Sequence, residues 1–172
     1  MNFKRNIDNL KKNYSLGIIG GGQLALMLAE AASNRGLKVC VQTKSSKDPA
    51  GKKADYVIEA DPLKLKGNKD LIKECEKIIF ENEWIKTEKL NLLDSENIFV
   101  PSLESIQPLI DRISQKNLIN RMNLPSPKWI TLREFKNLDE KEIENWNFPL
   151  MVKSYKGGYD GKGNTKINIK EE

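Results

Sequence analysis

Histidine is absent from this 172-residue chain, and there are only two cysteines, Cys40 and Cys75. The first absence excludes Ser-His and Cys-His catalytic arrangements and any zinc site built on imidazole. The second speaks against a disulfide framework, because one pair without short-range spacing fits a reducing cytoplasm. Long apolar runs are missing too. Stretches such as 24–28 are far too short to span a bilayer. Residues 1–15 are basic and polar, with Lys4, Arg5, Lys11 and Lys12 and no apolar stretch before a cleavage site. They read as a flexible extension (1–14), not a secretory signal. The net charge of +5 comes from 29 basic residues scattered among 24 acidic ones, with no aromatic-rich basic stripe. That distribution argues against a nucleic-acid partner and for a small anionic substrate.

What is present is a soluble-protein composition, 38% hydrophobic and 31% charged, long enough for one domain or one domain plus part of another. An apolar strand at 15–19 runs into Gly20, Gly21 and Gly22, and a helix follows over 23–34, closed by Arg35 and Gly36. Leu24, Met27, Leu28, Ala31 and Ala32 fall on one side of that helix. Further strands are expected at 37–42, 56–59, 77–80 and 98–100, with helices at 68–76, which carries Cys75, and 87–93. This alternation predicts an α/β fold with a parallel sheet covered on both faces, ending near residue 103. Helices are expected over 103–110 and 111–122, before Leu124-Pro125-Ser126-Pro127 interrupts the chain. Beyond it the pattern changes to a strand at 128–131, a helix at 138–146, and two strands, 148–154 and 165–169, joined by a glycine-rich hairpin.

Two glycine segments carry the chemistry. Residues 20–25 fit G-x-G-x-x-G/A in a strand-turn-helix setting, where backbone N–H groups can approach a phosphate at the helix N-terminus. A nicotinamide dinucleotide would want an acidic residue at the end of the second strand. The chain has Gln42-Thr43-Lys44 there, which weakens a redox reading, although a lysine could hold an NADP phosphate. In the second segment a strand delivers Lys153, followed by Gly157, Gly158, Gly161 and Gly163 with Tyr159, Asp160 and Lys162 interleaved. Backbone amides in such a loop can fold over phosphates while lysines neutralise their charge. It is not the G-x-x-x-x-G-K-[ST] phosphate loop, because no helix follows.

The stretch Lys-x-x-x-Gly-Gly-Tyr-Asp-Gly-Lys-Gly, residues 153–163, resembles the ATP-grasp signature of the 5-(carboxyamino)imidazole ribonucleotide synthases. Four more stretches agree in order and spacing: IIGGGQL (18–24), DPAGKKAD (48–55), FENEW (80–84), and DRISQK with LPSP (111–116, 124–127). Ala25-Leu26 stand where the family has Gly-Arg, and Asn164 replaces a common glutamine. The resemblance implies a Rossmann-like pre-ATP-grasp domain over 15–103, connecting helices over 104–123, and an incomplete ATP-grasp α+β lobe over 124–172.

The implied reaction joins ATP and bicarbonate into carboxyphosphate, whose carboxyl group passes to the amine of 5-aminoimidazole ribonucleotide. Such phosphoryl transfer needs positioning and charge neutralisation more than a nucleophile, so the lack of histidine is no obstacle. By this resemblance Arg112 and Lys153 contact the ATP phosphates, with Gly158, Tyr159, Gly161, Gly163 and Asn164 in the loop over them. Asp160 and Lys162 meet the ribonucleotide or the transferred group. Gln23, Leu24, Glu81 and Glu83 line the ribonucleotide pocket, the two glutamates sharing one face of an extended segment. No metal ligand is assigned: the family's magnesium ligands and adenine clamp are expected in a later half, and beyond Gly163 the only carboxylates are Glu171 and Glu172. The chain is therefore expected to be catalytically inactive alone. A homodimer is compatible with the resemblance; membrane and nucleic-acid partners are not expected. The alternatives are another ATP-grasp purine ligase or carboxylase fragment, an NAD(P)-binding Rossmann protein, and a non-catalytic remnant.

Overall fold

Strand β1, Tyr14–Ile19, is the centre of the fold because nearly every residue in it is apolar and can be covered from both sides. The computed structural model describes residues 12–93, 97–158 and 162–168. The chain divides into two units, Met1–Ile106 and Gln107–Glu172. Of the expected flexible extension, residues 1–11 lie outside the described residues. The rest is tied down: Lys12 Nζ donates to the Ile72 carbonyl at 2.7 Å, Asn13 Nδ2 to Glu74 at 2.6 Å, and Tyr14 opens β1.

In the first unit β1 leads into helix α1 (Gln23–Ser33), then β2 (Val39–Thr43), β3 (Tyr56–Glu59), α2 (Leu65–Glu74) and β4 (Cys75–Phe80). The strands form one parallel sheet in the order β3-β2-β1-β4. Residue 98–100, expected as a strand, contributes a single parallel bridge between Ile78 and Phe99. Short helices α3 (Thr87–Asn91) and α4 (Leu103–Ile106) complete the unit.

Alternation along the strands splits the core into two layers. Ile18, Val39 and Val41 face α1, while Ile19, Cys40, Ile78 and Phe80 pack with Leu71, Leu90, Phe99 and Leu103 on the other side. The α1 face differs from the expected one. Ala25, Ala29 and Ala32 are buried, whereas Leu24 and Met27 are more than half exposed. Three alanines let the helix backbone lie close to the sheet, so Leu24 and Met27 are turned outward while Leu26 and Leu28 stay partly buried against that layer. Cys75 also differs: α2 ends at Glu74 and Cys75 begins β4, fully buried. Its Sγ stands where a side chain on Gly17 would be, 2.9 Å from that position.

The second unit holds α5 (Arg112–Arg121), α6 (Leu132–Phe135), α7 (Glu140–Glu144) and the antiparallel hairpin β5 (Leu150–Lys153) and β6 (Asn164–Ile167). The strand expected at 128–131 is absent. Thr131 instead caps α6 in a reciprocal box with Glu134, and Asp139 caps α7 in the same way with Glu142. Lys128 lies over the Trp146 ring at 4.2 Å, and Phe135 meets that ring edge-on. No described residue of this unit is fully buried.

Candidate functional site

The first glycine turn is shaped to receive side chains of its own chain. Glu81 N donates to the Ile19 carbonyl at 3.0 Å, which brings the residue after β4 up against the turn. Gly22 N then donates to Glu81 Oε2 at 3.1 Å. A Cβ on Gly20 or Gly22 would strike the Glu81 carboxylate, and one on Gly21 would strike Thr43. Gly20 also has φ of +126°, a backbone state that favours glycine. An internal carboxylate therefore sits on the amide that a pyrophosphate would use.

Thr43 Oγ1 donates to Asp48, and Ala50 N to the Gly21 carbonyl at 3.0 Å, so the loop after β2 is fastened to the same turn. Together they border a cleft of about 390 Å³ whose lining includes Gly20 to Gly22, Thr43, Asp48, Asp61, Glu81 and Trp84. Gln23, Leu24 and Glu83 are exposed and lie outside that lining. Glu81 and Glu83 are thus separated, one on the turn and one in solvent, because the extended segment bends at residues 81–83.

The end of β2 is committed to structure. Gln42 is fully buried; its Nε2 donates to the Asp61 carbonyl at 3.0 Å and its Oε1 accepts from Asn68 Nδ2 at 2.9 Å. Lys44 lies 3.6 Å from Asp61. The Leu63 N–H holds the Asp61 carboxyl below the usual carboxylate range against the opposing effect of burial, and Lys44 adds to the lowering. The lysine that an NADP phosphate would need already faces a carboxylate. Thr43, Asp48 and Asp61 were not singled out in the sequence. Asp48 lies in the quoted DPAGKKAD stretch and Thr43 ends β2, but Asp61 carried no signal in the sequence.

In the second unit the hairpin closes through Ser154 N, which donates to the Gly163 carbonyl at 2.7 Å. Arg112 N donates to the Tyr155 carbonyl at 3.0 Å, attaching the start of α5 to the hairpin's base. A Cβ on Gly158 would lie 3.0 Å from Ser154 Oγ, 3.1 Å from the Lys162 carbonyl and 3.8 Å from Arg112 Nη2. Gly163, at φ +73°, is closer still to Ser154. Arg112, Gly158, Lys162 and Gly163 are thus brought together, while Asn164 starts β6 opposite Lys153. Tyr159, Asp160 and Gly161 lie outside the described residues. Lys153 is exposed. Strand alternation gives Leu150 and Val152 the covered face and turns Met151 and Lys153 the other way.

Asp111 caps α5, accepting from Ser114 N at 2.8 Å and Ser114 Oγ at 2.9 Å. Burial pushes its carboxyl upward, but the two Ser114 bonds and the nearby Lys156 outweigh it, leaving the group below the usual range. Ser154 was overlooked in the sequence, where a lone serine beside a lysine carries no signal.

Residues 14–109 match the ribonucleotide synthetase preATP-grasp domain, and residues 117–172 match the ATP-grasp domain. The N5-carboxyaminoimidazole ribonucleotide synthase of Synechocystis sp. is 36% identical over 155 residues, covering 90% of this chain and 38% of that protein. A crystal structure of N5-carboxyaminoimidazole synthetase from Staphylococcus aureus complexed with ADP superposes with a TM-score of 0.83 at 34% identity, covering 94% of this chain and 43% of that one. The Aspergillus clavatus synthase in complex with ADP and 5-aminoimidazole ribonucleotide gives 0.76 at 25% identity, covering 93% and 42%. The chain spans about two fifths of the length of the curated relatives it matches. A match over more than half of its residues makes the chain a member of the ribonucleotide synthetase preATP-grasp family, continued by ATP-grasp sequence from residue 117.

Proposed function

We propose that this chain serves the ATP-dependent carboxylation of 5-aminoimidazole ribonucleotide in purine biosynthesis, a reading supported by its ATP-grasp sequence and by relatives named as N5-carboxyaminoimidazole ribonucleotide synthases. Bicarbonate oxygen attacks the γ-phosphorus of ATP and ADP leaves. The ribonucleotide amine then attacks the carboxyl carbon of carboxyphosphate, releasing phosphate and a proton. The observation that carries the reading is the crowding of Gly158 and Gly163 around Ser154 beside the Arg112 guanidinium. Without side chains at these two positions, the hairpin backbone and the Ser154 hydroxyl lie close together near the Arg112 guanidinium, a combination suited to holding a phosphate. In this reading Arg112 and Lys153 neutralise the nucleotide phosphates, with Gly158, Tyr159, Gly161, Gly163 and Asn164 around them, and Asp160 and Lys162 meet the group transferred. Glu81, Gln23, Leu24 and Glu83 belong to the ribonucleotide side, with 15–103 as the pre-ATP-grasp unit, 104–123 as connection and 124–172 as ATP-grasp sequence.

Magnesium belongs to the same chemistry and would screen the phosphate charge when bound. The described residues contain no group of three or more His, Cys, Asp or Glu side chains that could hold it. The expected behaviour of the purified chain follows: ATP binds measurably by isothermal titration calorimetry, and phosphate release with bicarbonate and the ribonucleotide stays at background. Absence of any ATP binding overturns the nucleotide assignment. Preferential binding of glycinamide ribonucleotide would reassign the chain to a different purine ligase. A homodimer is part of the proposal, to be read from sedimentation.

A further inference from the structure

Building on that nucleotide reading, we propose that the Ser154 hydroxyl is a phosphate-binding group, donating its hydrogen to a phosphoryl oxygen held between Arg112 and the glycines of the hairpin. Ser154 Oγ is buried and has no hydrogen-bond partner among the described residues. Buried hydroxyls are almost always satisfied, because an unpaired one loses its water without replacement. Its position is not accidental. The Ser154 N–H bond to the Gly163 carbonyl at 2.7 Å fixes the backbone, so the side chain is presented at the hairpin's base.

Three features converge on the same spot. The missing Cβ of Gly158 would lie 3.0 Å from the hydroxyl and 3.8 Å from Arg112 Nη2, and the missing Cβ of Gly163 would collide with the hydroxyl outright. The Arg112 N–H bond to the Tyr155 carbonyl holds the guanidinium's helix against the hairpin. The Lys162 carbonyl borders the site, 3.1 Å from the Gly158 position, yet the hydroxyl makes no bond to it. A rotatable donor beside a fixed cation and two side-chain-free positions selects an anion with several acceptor oxygens.

The test compares the wild-type chain with Ser154→Ala, using ATP as the probe in calorimetry and thermal melting without nucleotide. The expected result is about tenfold weaker ATP binding with an unchanged or higher nucleotide-free melting temperature, since the alanine removes an unsatisfied hydroxyl. A merely structural serine would lower the melting temperature instead, and that outcome overturns the proposal. So does equal ATP affinity in a wild type that binds ATP, which leaves the nucleotide reading intact. If wild type itself binds no ATP, both fall together. Should the alanine variant fail to fold, Ser154→Cys, a near-isosteric weak donor, serves in its place. Binding severalfold weaker than wild type supports the assignment and wild-type affinity refutes it.

Discussion

At the scale of single residues, the two cysteines show how a composition-level inference acquires a physical basis. Cys40 and Cys75 are fully buried on the same layer of the core as Ile19 and Ile78. The hydrogen bond with Cys40, reinforced by burial, pushes the Cys75 thiol far above its ordinary range. The thiolate is the reactive species, which disfavours reaction at Cys75, and full burial closes off both side chains to reagent in the folded protein. Ellman's reagent at pH 8 is expected to find no thiol in the native chain and both after guanidinium denaturation. Prompt labelling of one cysteine in the native state would show that the core opens there. The tight turn at Gly20 to Gly22 was legible from its glycines, but its chemistry was not, because the Glu81 carboxylate takes the amide that the sequence offered to a phosphate. Nor was chemistry legible for Thr43 or Ser154, whose importance depends on neighbours far away in sequence.

At the scale of elements, local rules account for most of what was read correctly and also for what was missed. Strand β3 occupies the expected residues and β1 is longer by one, because continuous apolar runs between turn residues leave few alternatives. The α1 face was misjudged because a helix that is apolar all round has no unique stripe to bury; close packing chose the alanines. The expected strand at 128–131 gave way to a signal that was present in the sequence: Thr131 followed three residues later by Glu134 is a capping box.

Capping also supplies a pH-dependent test in α5. Asp111 accepts two hydrogen bonds from Ser114, and its folded pKa lies below the unfolded value. A depressed carboxylate contributes stability above its unfolded pKa, near 3.9, and the contribution is lost as pH falls through the lower folded value. Asp111→Ala should lower stability at pH 7 by about 1 kcal/mol. Asp111→Asn should remain near wild type at pH 7 and lose less stability on acidification. Urea melts at pH 7 and pH 3 measure both. An Asp111→Ala chain as stable as wild type would show that the cap is dispensable.

At the scale of the whole molecule, the two units differ in how they are held together. The first has a two-layer core around its sheet, while the described residues of the second include none that is fully buried. Hydrophobic burial dominates folding stability, so caps, a short hairpin and an aromatic contact supply less. Amide hydrogen exchange should therefore be slow in β1, β2 and β4 and much faster across α5 to β6, by at least about two orders of magnitude for a difference of a few kcal/mol. Equal protection in both units would contradict that division. Family membership was legible because glycine spacing survives without structural context. The distribution of burial was not, since it depends on which surfaces meet.

The carboxylate resting on the first glycine turn has a consequence for substitution. Gly22 has φ of −80°, so alanine is acceptable to the backbone there, and the nearest obstacle is the Glu81 side chain. Shortening position 81 should remove that obstacle, making the two positions energetically coupled. In a double-mutant cycle, Gly22→Ala with Glu81→Ala should lose at least about 0.5 kcal/mol less stability than the separate changes added together. Strict additivity would mean the turn yields without the carboxylate's help. Among natural variants, a side chain at position 22 is expected to travel with a smaller partner at position 81.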